Sequence, residues 1–370
     1  MLTLSGLATC GCGPVSLELG RGEAVALLCR PLSSGSELFA ALSGRQAAIA
    51  GLGCIDGRPI AGPGLGTIRR DSTPRPDPRL VGLASARDPL LAHLDLAANV
   101  ALGLRIIGHD RDRALARASE MLAWLGLDAV AHLRPTQVSA AERVRAHIAR
   151  ALACRPRLLL LDDPGGGLAP PERSTLLARL RRLILAHGLT AMLATDDPDE
   201  ALAFGARAGL LEAGGLRQEG RARTLLEEPW HAAVAEAFGH ANLLPGQVLD
   251  LDDMLDVRLA CGARIGAMAP RRPGAGALAE GSPCEVAIRP DRLAVAFVDR
   301  LPEQTERGDL AATLLDAQPL GERVRLRFRL ADGTELVALR PAQAIRGALE
   351  RDRPALLACR SSDAIAFPQD

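Results

Sequence analysis

Residues 158–161 form an uninterrupted run of leucines. Before it, residues 142–154 place apolar side chains at helical spacing, and a second amphipathic helix is predicted to begin at about Glu172. A short apolar run between two helices is typical of a strand that is covered on both faces of a parallel sheet. Ligands bind beyond the carboxyl ends of such strands. The pattern therefore predicts an α/β fold, with Asp162 and Asp163 as the first candidate site residues.

The N-terminal part repeats this succession of strand and helix patterns. Residues 15–19 alternate apolar and polar side chains, residues 23–29 are apolar enough for a buried strand, and a helix-like run ends near Leu42. Between them lies the segment RPLSSGSELF, residues 30–39. A strand, a loop and a helix in this order form the setting of a P-loop, in which backbone N–H groups cradle phosphates.

The segment keeps little of the P-loop motif G-x-x-x-x-G-K-[ST]. Arg30 stands at the first glycine, Gly35 keeps the second, Ser36 replaces the lysine and Glu37 replaces the hydroxyl residue that ligates magnesium. The context still predicts an altered phosphate-binding loop. Its candidate nucleotide-binding residues are Arg30, Ser33, Ser34, Gly35, Ser36 and Glu37.

A family resemblance is carried by residues 143–173, RVRAHIARALACRPRLLLLDDPGGGLAPPER. This stretch resembles the part of ABC-transporter ATPase subunits that runs from just after the signature motif, through Walker B, into the D-loop. The resemblance implies that Asp162 is the magnesium ligand and that Asp163 stands at the catalytic glutamate. It also implies ATP and Mg²⁺ as cofactors.

Other stretches resemble further motifs of the same family, again with altered residues. Ala86 stands where the Q-loop glutamine belongs. Ser139 is what remains of the signature, because Ala140, Ala141 and Glu142 follow it in place of its other residues. Asp196 replaces the switch histidine and is the second candidate catalytic residue beside Asp163.

The sequence pattern changes from Asn242 onwards, where short segments typical of β-strands alternate with Gly and Pro. Residues 238–246 and 286–293 resemble the C-terminal TOBE-type β-barrel of importer ATPases, with most similarity to spermidine/putrescine-type subunits. We predict a P-loop NTPase-like ABC ATPase domain over residues 1–235, containing a helical subdomain at about 88–150. A small all-β, TOBE/OB-like barrel domain is predicted over residues 236–370.

Composition supports this organisation and excludes some partners. A chain of 370 residues exceeds what one core usually supports. Its 44 basic residues, all arginine, balance its 44 acidic ones, so no nucleic-acid footprint is predicted. The eight cysteines are scattered and lack zinc-site spacing. No apolar run approaches the ~20 residues of a membrane span. We therefore expect a cytoplasmic protein that reaches the inner face of the membrane through a permease.

The predicted pocket carries unfavourable charge for ATP. Glu37, Asp162, Asp163 and Asp196 would face an anionic polyphosphate, with Arg30 as the one obvious counter-charge. At an effective dielectric constant of ~20, two like unit charges ~4 Å apart repel by about 4 kcal/mol. Asp163 is also shorter than glutamate, and a displacement of about 1 Å can cost 10²-fold in rate. Weak or absent hydrolysis at this site is therefore predicted.

Each altered position also has an ordinary structural interpretation. Ser34 or Ser36 could cap a helix with Glu37 in its first turn, and Asp196 could be a helix N-cap ahead of Pro198. The two aspartates after the leucine run could form a plain turn, and His147 could be a packing residue.

Three functional hypotheses follow. The first is an ABC importer ATP-binding subunit, polyamine-type or related, that contacts permease subunits and forms a homodimer or a heterodimer with another ABC ATPase. The second is a non-catalytic scaffold or regulatory binding module. The third is a decaying gene without function.

Overall fold

The computed structural model describes residues 1–65, 80–85, 88–251, 254–271, 278–302, 306–345 and 349–369. The chain forms two compact units, Met1–Ala222 and Arg223–Asp370. The first is α/β and the second all-β, so the predicted fold class is confirmed. The domain division predicted at residues 235 and 236 falls inside the helix Ala232–Gly239. Among the described residues, no helix combines the length and apolarity needed to cross a membrane.

In its described residues, the first unit contains two sheets and six α-helices. Its strands are β1 (Leu2–Thr9), β2 (Cys12–Leu19), β3 (Ala24–Arg30), β4 (Ala50–Ile55), β5 (Arg58–Ala61), β6 (Val81–Ser85), β7 (Leu158–Asp162), β8 (Ala191–Thr195), β9 (Arg207–Glu212) and β10 (Gly215–Gly220). Its helices are α1 (Leu32–Leu42), α2 (Leu96–Ile106), α3 (Arg111–Trp124), α4 (Ala140–Ala153), α5 (Pro170–His187) and α6 (Pro198–Phe204).

The larger sheet has the order β10-β9-β3-β8-β7-β6, while β2-β1-β4-β5 form a smaller antiparallel sheet. Strands β9, β3, β8, β7 and β6 are parallel, and β10 closes the edge antiparallel to β9. The leucine run is fully buried in β7, between β6 and β8, as the sequence predicts. The carboxyl ends of β3, β6, β7 and β8 therefore lie along one edge of the sheet, where the candidate residues are.

An α-helix replaces most of the loop expected over residues 30–39. Strand β3 ends at Arg30 and α1 begins at Leu32, with Pro31 as its N-cap. Leu38, Phe39 and Leu42 are buried, so the apolar spacing of a helix begins inside the segment that was assigned to the loop. The loop predicted over residues 30–39 is therefore shorter in the structure, because α1 starts almost directly after the strand.

Gly35 explains how α1 lies so close to the sheet. A Cβ atom at this position would lie 2.6 Å from Cys29 Sγ on β3 and 2.8 Å from Ala194 Cβ on β8. Such distances are too short for carbon and sulfur atoms. Gly35 is thus required for packing between helix and sheet.

Among the described residues of the second unit, two antiparallel five-stranded sheets pack around a shared hydrophobic core. Helices α7 (Ala222–Glu227) and α8 (Ala232–Gly239) precede them. One sheet, in the order β13-β12-β11-β14-β20, contains β11 (Asn242–Asp250), β12 (Leu255–Leu259), β13 (Arg264–Ala267), β14 (Pro283–Ile288) and β20 (Ala364–Pro368). The other, in the order β15-β19-β16-β17-β18, contains β15 (Ala294–Phe297), β16 (Asp309–Leu320), β17 (Arg323–Leu330), β18 (Glu335–Pro341) and β19 (Pro354–Ala358).

Asn242 links these two sheets through its side-chain amide. Its Nδ2 donates to the carbonyl of Ile288 on β14 at 3.1 Å and to that of Val337 on β18 at 2.9 Å. Its Oδ1 accepts from the N–H of Val337 at 2.7 Å. The backbone of the edge strand β18 is thus hydrogen-bonded at Val337 by a side chain from the opposite sheet.

The packing at Gly35 predicts the sign of one substitution. Helix propensity alone favours Ala over Gly by about 1 kcal/mol, whereas overpacking in a close contact costs about 1–3 kcal/mol. Gly35→Ala should therefore lower the free energy of unfolding, measured by urea denaturation. Gly214→Ala is the control, since its nearest atom would be Arg217 Nη2 at 3.6 Å. A Gly35→Ala protein as stable as wild type would contradict this packing.

Candidate functional site

Asp162 ends β7 with its side chain buried and both carboxylate oxygens engaged. Ser36 on α1 donates its hydroxyl to Oδ1 at 2.7 Å, and Ser85 at the end of β6 donates to Oδ2 at 2.8 Å. The carboxylate is only 7% exposed. A buried carboxylate requires hydrogen-bond donors, and here α1 and β6 supply them.

The other residues of the predicted loop lie apart from Asp162 or on the protein surface. Ser34 is fully buried within α1 and donates to the carbonyl of Gly11 at 2.9 Å. Glu37 accepts from the N–H of Gly11 at 2.6 Å and from Thr9 Oγ1 at 3.0 Å, so it faces the turn between β1 and β2. Ser33 and Arg30 are exposed. From the predicted loop, Ser36 donates a hydrogen bond to Asp162 at the Walker B position.

The capping interpretations of these residues are wrong. Helix α1 is not capped by a side chain, and Ser34 and Ser36 lie inside it. Helix α6 is capped by Asp197, which accepts from the N–H groups of Asp199 at 2.9 Å and Glu200 at 3.2 Å. Asp196, one residue earlier, is 61% exposed at its side chain and is free for another contact.

Asp163 and Asp196 are brought together by an arginine. Arg173 on α5 places its Nη2 3.5 Å from Asp163 Oδ1 and 3.5 Å from Asp196 Oδ1. The same Nη2 donates to Glu200 Oε2 on α6 at 3.1 Å, and Arg173 Nε also contacts the Glu200 carboxylate. Thr195 at the end of β8 donates its hydroxyl to Glu200 at 2.7 Å. This cluster joins the carboxyl ends of β7 and β8 to α5 and α6.

Asp163 is the strained member of the cluster. Its φ of +44° lies in the left-handed region, which costs energy for a residue other than glycine. Burial raises the pKa of Asp163, Arg173 opposes the shift, and the neighbouring carboxylates of Asp196, Glu200 and Asp162 add to it. Asp163 Oδ1 is buried and accepts no hydrogen bond from the residues that the structure describes.

The remaining predicted residues do not join these clusters. Ser139 is the N-cap of α4, where its hydroxyl accepts from the N–H of Glu142 at 3.2 Å and its own N–H donates to Glu142 Oε2 at 2.8 Å. This reciprocal pair is a capping box. Ala86 lies outside the described residues.

A cavity of about 390 Å³ lies beside Asp163, with Ser85, Leu90, Val144 and Ile148 in its lining. His147 on α4 also lines it, with Nδ1 3.4 Å from Arg150 Nη2. Burial, together with the positive charge of Arg150, lowers the pKa of His147 to about 4. Its imidazole is therefore neutral near pH 7.

Sequence reasoning missed Ser85, Arg173 and Glu200. Ser85 is the last residue of β6, so its position at a strand end, next to the predicted Q-loop, was the available signal. Arg173 follows the glycine-rich turn after the aspartates, and Glu200 lies in the first turn of a helix. Neither pattern indicates an ion pair without knowledge of which strands are neighbours.

The described residues differ in several ways from a P-loop that holds a magnesium–triphosphate complex. A P-loop needs backbone amides around an open loop, a lysine, and a hydroxyl and a carboxylate that are free to ligate the metal. Here Ser34 and Ser36 are buried, both oxygens of Asp162 accept hydrogen bonds, and Glu37 faces another turn. Within the described part of the chain, no group of three or more His, Cys, Asp or Glu residues could hold a metal ion.

Two family models match the chain. The model described as ABC transporter matches residues 12–166, and the model described as TOBE domain matches residues 286–367. The first therefore spans β2 to the turn after β7, which includes both Asp162 and Asp163. The second spans most of the all-β unit.

Curated relatives resemble most of the chain. The spermidine/putrescine import ATP-binding protein PotA of Rubrobacter xylanophilus is 33% identical over 271 residues, which are 69% of this chain and 68% of the relative. The Fe(3+) ions import ATP-binding protein FbpC of Streptomyces avermitilis is 32% identical over 326 residues, 86% and 91% of the two chains. A dimeric structure of the ATP-binding cassette MJ0796 has a TM-score of 0.52 at 23% identity, covering 60% of this chain and 98% of that one, so the fold is shared.

The hydrogen bond between Ser36 and Asp162 predicts a measurable stability loss. Ser36→Ala removes one of the two hydroxyl donors to a buried carboxylate and should lower the free energy of unfolding by about 1–3 kcal/mol. Urea denaturation would measure it. Ser33→Ala removes an exposed hydroxyl from the same helix and should change stability by less than about 0.5 kcal/mol. Equal stabilities for the two variants would contradict the assigned role of Ser36.

The lowered pKa of His147 predicts a pH dependence. Between its ordinary value of 6.5 and about 4, the unfolded chain binds a proton at His147 that the folded protein does not bind. Stability from this group is therefore present above pH 6.5 and is lost as the pH falls towards 4. His147→Gln should flatten the fall of the free energy of unfolding across this window. Parallel curves for the two proteins, measured by urea denaturation at several pH values, would exclude the effect.

Proposed function

The chain belongs to the ABC transporter family, and we propose that it is an import subunit that assembles with a membrane permease without turning over ATP at its own site. Membership rests on the matched ABC transporter and TOBE models and on relatives that are similar over most of their length. The relatives are ATP-binding proteins of importers. In this proposal the chain shares the architecture of these relatives and their place in a transport complex. It differs from them in that it does not turn over ATP.

One observation carries the proposal: the Walker B position is satisfied from within the protein. The hydroxyls of Ser36 and Ser85 each donate to one oxygen of Asp162, at 2.7 and 2.8 Å. Phosphoryl transfer in this family depends on a metal and a lysine that neutralise charge on the transferred group. In this chain Ser36 stands at the lysine position, and the metal ligand is hydrogen-bonded elsewhere.

The signature half of the site supports the same proposal. In a composite site, one chain contributes the Walker residues and its partner contributes the signature residues. Ser139 and Glu142 are bound to each other in the capping box of α4. Ala140 and Ala141 add Cβ atoms where the family motif has glycines. A homodimer would therefore lack both halves of a working site, and a heterodimer with another ABC ATPase would gain little from this chain.

The cargo that we propose is a polyamine, because the similar PotA protein of Rubrobacter xylanophilus is a spermidine/putrescine import protein. A relative named for Fe(3+) import covers more of the chain, so ferric iron is the second candidate. Within this proposal, the subunit lies at the cytoplasmic face of the membrane, bound to permease subunits. Transport assays with either cargo, in cells that lack the gene, would distinguish the two.

A scaffold or regulatory module is the second candidate function. The two hydrogen bonds from Ser36 and Ser85 to Asp162 support this second function equally. A protein that does not bind nucleotide could still hold a permease in a defined conformation. The two functions differ in transport: a subunit of an active importer is required for uptake, whereas a regulatory module changes uptake without being required for it.

Nucleotide titration tests the proposal directly. Purified protein is titrated with a fluorescent ATP analogue with and without Mg²⁺, and steady-state phosphate release is followed. We expect no magnesium-dependent binding in the micromolar range and no release above the buffer rate. The PotA protein of Rubrobacter xylanophilus is the positive control. Magnesium-dependent binding with turnover by this chain would overturn the proposal.

The double change Ser36→Lys with Glu37→Ser restores two P-loop letters and sharpens the test. Because α1 begins at Leu32, the restored side chains would extend from within a helix and not from a phosphate-binding loop. We expect no gain in nucleotide affinity in the same titration. A tenfold or greater gain would show that the segment can still form the loop.

A further inference from the structure

Arg173 is surrounded by carboxylates from three different elements. Its guanidinium is paired with Asp163 after β7, with Asp196 after β8 and with Glu200 on α6. In the described part of the chain, each of these carboxylates has Arg173 as its only ion-pair partner. One positive charge therefore serves three acidic groups that would otherwise repel one another.

The backbone is shaped around this side chain. A Cβ atom at Gly165 would lie 2.6 Å from Arg173 Cγ and 2.8 Å from its Nε. The turn after Asp163 thus passes directly against the arginine, and only glycine leaves room for it. The strained backbone of Asp163, at φ +44°, begins the same turn. The backbone path of this turn and the position of the Arg173 side chain therefore depend on each other.

Burial makes the charge balance important. The side chains of Arg173, Asp163 and Glu200 are 22%, 23% and 9% exposed, so water screens their charges little. Like charges in such surroundings repel more strongly than on the surface. Asp196, at 61% exposure, is the member that can be altered with least damage to packing.

We infer that Arg173 is a resident counter-ion, which holds the carboxyl ends of β7 and β8 together by offsetting part of the negative charge of the three carboxylates that it contacts. This inference rests on the proposed function, since a magnesium ion bound beside these carboxylates would be a second positive charge and would share the role given to Arg173. Arg173 is a positioning residue: it acts on the turn after Asp163 and on α6 through their acidic side chains.

A double-mutant cycle tests charge neutralisation separately from packing. Arg173→Gln should lower the Tm by about 5–10 °C, because it leaves buried carboxylates unpaired. Adding Asp196→Asn removes one repelling charge and should recover part of that loss, whereas Asp196→Asn alone should not raise the Tm of the wild type. Differential scanning calorimetry on the full chain measures all four proteins.

Arg145→Gln is the matched control. Arg145 is a half-buried arginine on α4 that donates to the carbonyls of Ala141, Leu125 and Gly126 and has no recorded ion pair among the described residues. Its loss should also lower the Tm, but Asp196→Asn should not restore it. Rescue of Arg145→Gln to the same extent, or no rescue of Arg173→Gln, would overturn the inference.

If Arg173→Gln does not fold, the variant Arg173→Lys distinguishes the contribution of the positive charge from that of the side-chain shape. Lysine keeps the charge but lacks the planar fork, so folded Arg173→Lys protein supports neutralisation, and its failure to fold argues that shape alone is required. The double-mutant cycle measures thermal stability, whereas the nucleotide titration measures nucleotide binding, so the two experiments test the two proposals separately. Magnesium-dependent turnover by the wild type would therefore overturn the proposed function, while a missing rescue would overturn only the role of Arg173.

Discussion

The structure of the first unit depends on one buried carboxylate. Asp162 ends the buried strand β7, where burial would be costly for an unpaired anion. Ser36 and Ser85 resolve this by donating from the helix and strand on either side. The contact draws α1 against the sheet, and Gly35 permits the approach because it has no side chain to collide with β3 and β8. The rest of this sheet edge is arranged around that fixed point.

The acidic residues near the carboxyl ends of β7 and β8 have two kinds of partner. Neutral hydroxyls serve Asp162, while a guanidinium serves Asp163, Asp196 and Glu200. Both sets of partners come from the protein itself and from elements that the fold already places nearby. This edge keeps the parallel strands of the ABC ATPase fold, and each of the four acidic side chains has a hydrogen-bond or ion-pair partner within the described residues.

Sequence patterns predicted the strands well and the chemistry less well. The leucine run had one physical interpretation, a strand buried on both faces, and β7 matches it. Gly35 is compatible with two structural roles, because glycine suits both a phosphate-binding loop and a close contact between a helix and a sheet. A single sequence does not distinguish these roles. The bonds from Ser36 and Ser85 to Asp162 join residues 126 and 77 positions apart. No local pattern records such pairings, which become visible only when the strand order is known.

Asn242 gives the all-β unit a protection that its strand order alone would not provide. An outermost strand with free N–H and C=O groups is a template for another chain, and proteins avoid this by covering or blocking it. The amide of Asn242 holds both backbone groups of Val337 on β18. A foreign strand would have to displace that side chain before it could add to the sheet at this point. Asn242 thus removes one pair of free backbone groups from the edge that β18 would otherwise offer to another chain.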